Sequence, residues 1–105
     1  MKITKVYCEH YRWPKEKPIA NGKHVYTHNE LNRVCVETDE GITGLGEASL
    51  GGYTNTVIAL LGDLEDLLTG EDPTRIEYLC QVMQRQKFWR GGVVKGSAVA
   101  GIELA

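Results

Sequence analysis

The side chains best suited to recognising an anion or a hydroxylated ligand gather in one stretch, Arg12, Trp13, Lys15, Lys17, His24, Tyr26 and His28, punctuated by Pro14, Pro18 and Asn21-Gly22. His24 and His28 have the i, i+4 spacing that places two imidazoles on one face of a helix, as in a metal site. The prolines and Gly22 oppose a helix there, and in a loop that spacing fixes no common face. Imidazoles that titrate near neutral pH suit anion contact in such a position better than catalysis. Gly44-Leu45-Gly46-Glu47 lacks the third glycine and the following helix of a dinucleotide fingerprint. Arg90-Gly91-Gly92 ahead of a helix can cradle an anion with a guanidinium alongside; the alternative is a tight turn after an aromatic anchor. No serine stands in a nucleophile elbow, no cysteine has a paired signature and no carboxylates form a metal trio. Neither a catalytic residue nor a metal ligand is therefore expected in this chain.

A chain of 105 residues, 42% apolar and 25% charged, has the size and composition of one globular domain, and 1–105 is read as such. Twelve basic against fourteen acidic residues give a net charge of −2, which excludes a generic nucleic-acid or anionic-membrane binder. The charge is uneven, at +4 over residues 1–33, −9 over 34–74 and +3 over 75–105, so an anionic ligand should prefer the outer thirds. Cys8, Cys35 and Cys80 are odd in number and widely spaced, which points to reduced core residues and a cytoplasmic protein. The longest apolar run, Val57 to Leu61, is far below a membrane span.

The elements follow from periodicity. Ile3 to Glu9 mixes β-branched and aromatic residues as a strand does. In Leu31 to Asp39, Val34, Val36 and Thr38 fall on one face and Cys35 and Glu37 on the other. Asp39-Glu40-Gly41 then signals a hairpin into a short strand, Thr43 to Glu47. Residues 12–29 fit no regular element and read as a long functional loop, and Ser49–Thr54 as a second. Thr54 or Asn55 should cap a helix with the stripe Val57, Leu60, Leu61, Leu64, Leu67 and Leu68. Asp72-Pro73 should open another with Ile76, Leu79, Cys80 and Met83. Val94, Ala98, Gly101, Ile102 and Ala105 complete a third. The prediction is α+β: a three-stranded antiparallel meander followed by helices near 55–69, 73–87 and 93–105. The last helix has no stop signal, so the chain reads as truncated, with Gly101, Ile102, Leu104 and Ala105 expected on an uncovered apolar face that oligomerisation would bury.

The order of Met-Lys-Ile-Thr, Val34-x-Val36-x-Thr38-Asp39-x-Gly41-x-x-Gly44-x-Gly46-Glu47, Gly70-x-Asp72-Pro73, Phe88-Trp89-Arg90-Gly91-Gly92 and Ser97-Ala98-x-Ala100-Gly101-Ile102-Glu103 resembles the N-terminal capping domain of the enolase superfamily. Within it the resemblance is to the mandelate racemase and muconate lactonising enzyme group, and most of all to acid-sugar dehydratases such as galactonate dehydratases. The resemblance implies a parent lyase or isomerase in which a (β/α)₈ barrel, absent from this chain, carries the Mg²⁺ ligands and the acid/base residues. There the metal stabilises the enediolate formed when the proton α to a carboxylate is removed. It further implies that this domain closes the barrel mouth and sets selectivity for a sugar acid or other carboxylate, and that it is inactive alone; the expectation of a homo-oligomer rests on the uncovered apolar face of the last helix. By position, the family's specificity loops correspond to Arg12–Asn29 and Ser49–Thr54, which makes His24, Tyr26 and Tyr53 the expected substrate contacts. The alternative is a free-standing anion-binding or oligomerisation module sharing the capping fold.

Overall fold

A computed structural model describes residues 1–105. The chain runs β1 (Ile3–Ala20), β2 (Val25–Thr38), β3 (Thr43–Glu47), α1 (Thr54–Leu68), α2 (Ile76–Arg85) and α3 (Val93–Leu104). The strands form one antiparallel sheet in the order β1-β2-β3, with the helices stacked on one face. This is the predicted α+β meander followed by three helices. At the β2–β3 turn Gly41 takes φ 78°, the left-handed conformation that glycine adopts without a steric penalty.

The predicted loop at 12–29 is instead a continuation of the sheet. β1 and β2 stay paired through Trp13↔Asn29 and Pro14↔His28, slip register, and resume at Ile19↔Tyr26 and Ala20↔Val25. Asn21 closes the hairpin: its N–H donates to the His24 carbonyl at 2.9 Å, and its Oδ1 accepts the N–H groups of Lys23 and His24, each at 2.9 Å. The prolines permit this because β1 is an edge strand. Pro14 has the parity of Val6, whose N–H points away from β2 to Glu65 Oε2 at 2.7 Å, so the hydrogen that Pro14 lacks would have faced away from the ladder. Pro18 falls within the register slip.

The helices need smaller corrections. Tyr53, not Thr54 or Asn55, occupies the cap position of α1, without a side-chain cap bond. Helix α2 starts at Ile76, because Asp72 closes a separate turn by accepting the Thr74 N–H at 2.9 Å and its hydroxyl at 2.7 Å. Ile76, placed in the apolar stripe of α2, is 52% exposed.

Val6, Val34 and Val36 on the inner sheet face pack with Val57, Leu61, Leu64 and Leu68 of α1, Leu79 and Met83 of α2, and Ala98, Val99 and Ile102 of α3. Helix α3 sinks onto β3 because the strand offers glycine there: a Cβ on Gly46 would lie 2.0 Å from the Gly101 carbonyl oxygen. Gly101 and Ile102 are consequently buried within this domain, contrary to the expectation that they lie on an uncovered face, and only Leu104 of that group is strongly exposed. The most exposed large apolar side chains are Phe88 and Trp89, packed edge to face between α2 and α3.

Candidate functional site

Strand alternation sorts the hairpin arm into two faces. On the face that continues the core come the pairs His10↔Asn32, Arg12↔Glu30 and Pro14↔His28; on the other come Glu9↔Arg33, Tyr11↔Leu31 and Trp13↔Asn29. A cavity of about 420 Å³ opens between the arm and the β3–α1 connection, lined by Arg12, Lys15, Ile19, Tyr26, His28, Asn29, Glu30 and Asn32 together with Ser49, Gly51, Gly52 and Thr54. A second cavity of about 480 Å³, among Ile3, Val36, Leu79, Met83 and Ile102, is mostly apolar and borders the core. The first combines concavity with convergent polar groups, the usual mark of a small-molecule site.

Two polar anchors hold the β3–α1 connection against the arm. Asn32, only 1% exposed, uses its Nδ2 to donate to the Ala48 carbonyl at 3.1 Å, and its backbone carbonyl accepts the Ala48 N–H at 3.0 Å. Its Oδ1 lies 2.7 Å from His10 Nδ1. An amide oxygen can only accept, so that nitrogen of His10 carries the proton. Glu30 is the second anchor, accepting the Thr54 hydroxyl and pairing with Arg12 Nε at 3.3 Å. The Thr54 hydrogen bond holds the Glu30 carboxyl below its ordinary range; burial, the next largest influence, opposes it, and the fields of His10 and Arg12 add to the lowering.

Lys15 Nζ donates to the Asn29 side-chain oxygen, and no carboxylate lies within ion-pair distance of it. Away from the cavity Glu9 binds both Arg33 and the Tyr11 hydroxyl, while the buried Nε of Arg33 has no partner. The Tyr7 hydroxyl is pushed up to about 12 by hydrogen bonding to Cys35 first and Glu37 second.

Of the three residues expected to touch substrate, Tyr26 lines the cavity. His24 stands at the hairpin tip with its ring centroid 6.1 Å from that of Tyr26. Tyr53 is 57% exposed and lines a different concavity beside Trp89 and Val93, so the structure does not bring the three together. Sequence reasoning placed Arg12, Lys15 and His28 in the polar stretch, with His28 as an anion contact, but did not name them among the expected substrate contacts; it read Thr54 as a helix cap and missed Glu30 and Asn32. The signal was the period-two series His28, Glu30, Asn32, Val34, Val36, which begins before Leu31 and carries its polar end onto the core-facing side. No group of three or more His, Cys, Asp or Glu side chains is placed to hold a metal ion. No helix is long and apolar enough to cross a membrane.

Fold and site together define a helix-backed antiparallel sheet domain whose projecting hairpin and β3–α1 connection enclose a polar cavity. The chain belongs to the mandelate racemase / muconate lactonizing enzyme N-terminal domain family, whose model matches residues 3–105. A D-galactonate dehydratase from Ralstonia pickettii (strain 12J) is 51% identical over 70 residues, 67% of this chain and 18% of that protein. An enolase superfamily member from Polaromonas sp. JS666 superposes with a TM-score of 0.83 at 26% identity, over 98% of this chain and 28% of that one. An enolase from Pantoea ananatis, with D-gluconate and Mg bound, does so with a TM-score of 0.74 at 31% identity, over 97% of this chain and 22% of that one. The chain thus spans under a third of the length of each of these relatives.

Proposed function

We propose that this domain caps the barrel of a longer Mg²⁺-dependent enzyme, a sugar-acid dehydratase or racemase that removes the proton α to a carboxylate, and that it supplies the enzyme's substrate selectivity. The cavity between the hairpin arm and the β3–α1 connection carries the reading. Its lining offers the tyrosine hydroxyl, imidazole, ammonium and amide groups that hydroxyls and a carboxylate require. The D-galactonate dehydratase and the D-gluconate-bound enolase support the substrate class. The role we assign to the residues of this chain is to bind and orient the substrate and to exclude water from one side of it. Selectivity arises when hydrogen-bonding groups complement one pattern of hydroxyls and are left unpaired by another. Alone, the domain binds a sugar acid weakly and turns over nothing.

The test uses the longer enzyme with Tyr26 and His28, which line the cavity, each replaced by Ala. The expected result is a changed order of kcat/KM among sugar acids with Mg²⁺ affinity unaltered. Equal losses for every substrate, or dehydration of galactonate by residues 1–105 alone with added Mg²⁺, would refute the proposal.

A further inference from the structure

Resting on the proposed location of the substrate, we infer that Lys15 anchors a second carboxylate, at the end of the substrate remote from the reacting carbon, and that the cavity therefore selects a sugar diacid over the corresponding monoacid. The charges around the cavity carry the argument. Its lining holds two side-chain cations of permanent charge, Arg12 and Lys15, and one acid, Glu30. Glu30 pairs with Arg12 at 3.3 Å and takes the Thr54 hydroxyl on its other oxygen, so the Arg12 charge is met within the chain. Lys15 has no such partner. It is half-buried, and its bonded neighbour is the neutral amide of Asn29. An ammonium has three donors, of which this contact uses one.

A partly desolvated cation without a counter-charge is unfavourable alone and favourable beside an anion. His28 lies in the same lining, its Nδ1 engaged 2.9 Å from the Thr27 hydroxyl and its Nε2 without a protein partner. One uncompensated positive charge with neutral donors beside it matches one carboxylate. A phosphate ester carries close to two negative charges, and the guanidinium that would meet the second is occupied by Glu30. In the proposed enzyme the carboxylate next to the reacting carbon is held by the barrel, where the chemistry is placed. The group facing Lys15 is then the distal one.

The experiment titrates the isotope-labelled chain with galactarate and with galactonate, which share their ring-opened hydroxyl pattern and differ in the terminal carboxylate, and follows amide and side-chain shifts. Galactarate should bind about tenfold more tightly, ~1.4 kcal/mol, with the largest shifts at Lys15, His28 and Asn29. Lys15→Gln, with circular dichroism as the check on folding, should bring the two affinities together, and Lys15→Arg should keep most of the difference. Equal affinities in the parent chain, no binding of either acid, or an unchanged ratio in Lys15→Gln would overturn the inference. In the longer enzyme Lys15→Gln should raise KM for galactarate and leave galactonate unaffected. The titration reads binding without turnover, so the diacid preference can stand if the proposed chemistry fails, and activity confined to monoacids would leave that chemistry standing while removing the anchor.

Discussion

Replacing Gly46 by Ala tests whether α3 is seated on β3 as described. The added Cβ would lie 2.0 Å from the Gly101 carbonyl oxygen and 3.0 Å from the Ala105 amide nitrogen, whereas ordinary contact begins at 3.4 Å. The obstacle is backbone and cannot rotate aside, so the helix must retreat by about 1.4 Å, the difference between 3.4 and 2.0. That movement lifts Ala98, Val99 and Ile102 off the sheet and opens a gap in a close-packed core. Overpacking costs about 1–3 kcal/mol, and a backbone obstruction belongs at the upper end. At roughly 4–8 °C per kcal/mol for a domain near this size, a loss of about 3 kcal/mol lowers the thermal midpoint by about 12–24 °C. Gly62, exposed within α1 with nothing within 4 Å of its would-be Cβ, is the control. Gly62→Ala should raise stability by about 0.5–1 kcal/mol through helix propensity alone. Urea and thermal unfolding of both variants decide the matter. A Gly46→Ala protein within about 0.5 kcal/mol of the parent, a change typical of a neutral surface site, would refute the close approach.

Glu30→Gln should weaken the hold of the arm on the β3–α1 connection, seen as faster amide exchange over residues 50–54, while global stability falls by less than about 1 kcal/mol because the ion pair is solvent-screened. Glu9, Glu30 and Asp72 all have carboxyls held below their ordinary range, by Tyr11 and Arg33, by Thr54, and by Thr74 respectively. Their contribution is present above the unfolded values of about 4.3 for Glu and 3.9 for Asp and is lost as pH falls through the lower folded values, so unfolding midpoints should drop on acidification below about pH 4. Tyr7 has the opposite sign: raised from 10.0 to about 12, it favours the fold below pH 10 and loses that contribution on passing from 10 to 12. Tyr7→Phe should flatten the alkaline limb of stability against pH.

The meander and the three helices were legible because each has a period that burial enforces: the alternation of Val34 and Val36, and the 3.6-residue stripe from Val57 to Leu68. Residues 12–29 were misread because Pro14 and Pro18 count against a strand in any local reading. Whether they break it depends on which edge of β1 lacks a neighbour, and that is settled only once β2 has paired. Asn21-Gly22 marked the turn, but its partner strands could be recognised only together. The burial of Gly101 and Ile102 was hidden for a similar reason, since the furrow that receives α3 is made by Gly44 and Gly46 more than 50 residues earlier in the chain. Within the site, the polar stretch was visible as composition. The coupling of Arg12, Glu30 and Thr54 was not, because it joins three elements through side chains whose faces depend on the register of the hairpin.

The most direct measurement is a crystal structure of the proposed longer enzyme with a sugar acid bound. The end of the ligand remote from the reacting carbon should lie in the cavity between the arm and the β3–α1 connection, with at least one of Lys15, Tyr26 and His28 within hydrogen-bonding distance, about 2.7–3.2 Å. A ligand fully enclosed by other parts of the protein, touching no residue of 12–30 or 49–54, would contradict it.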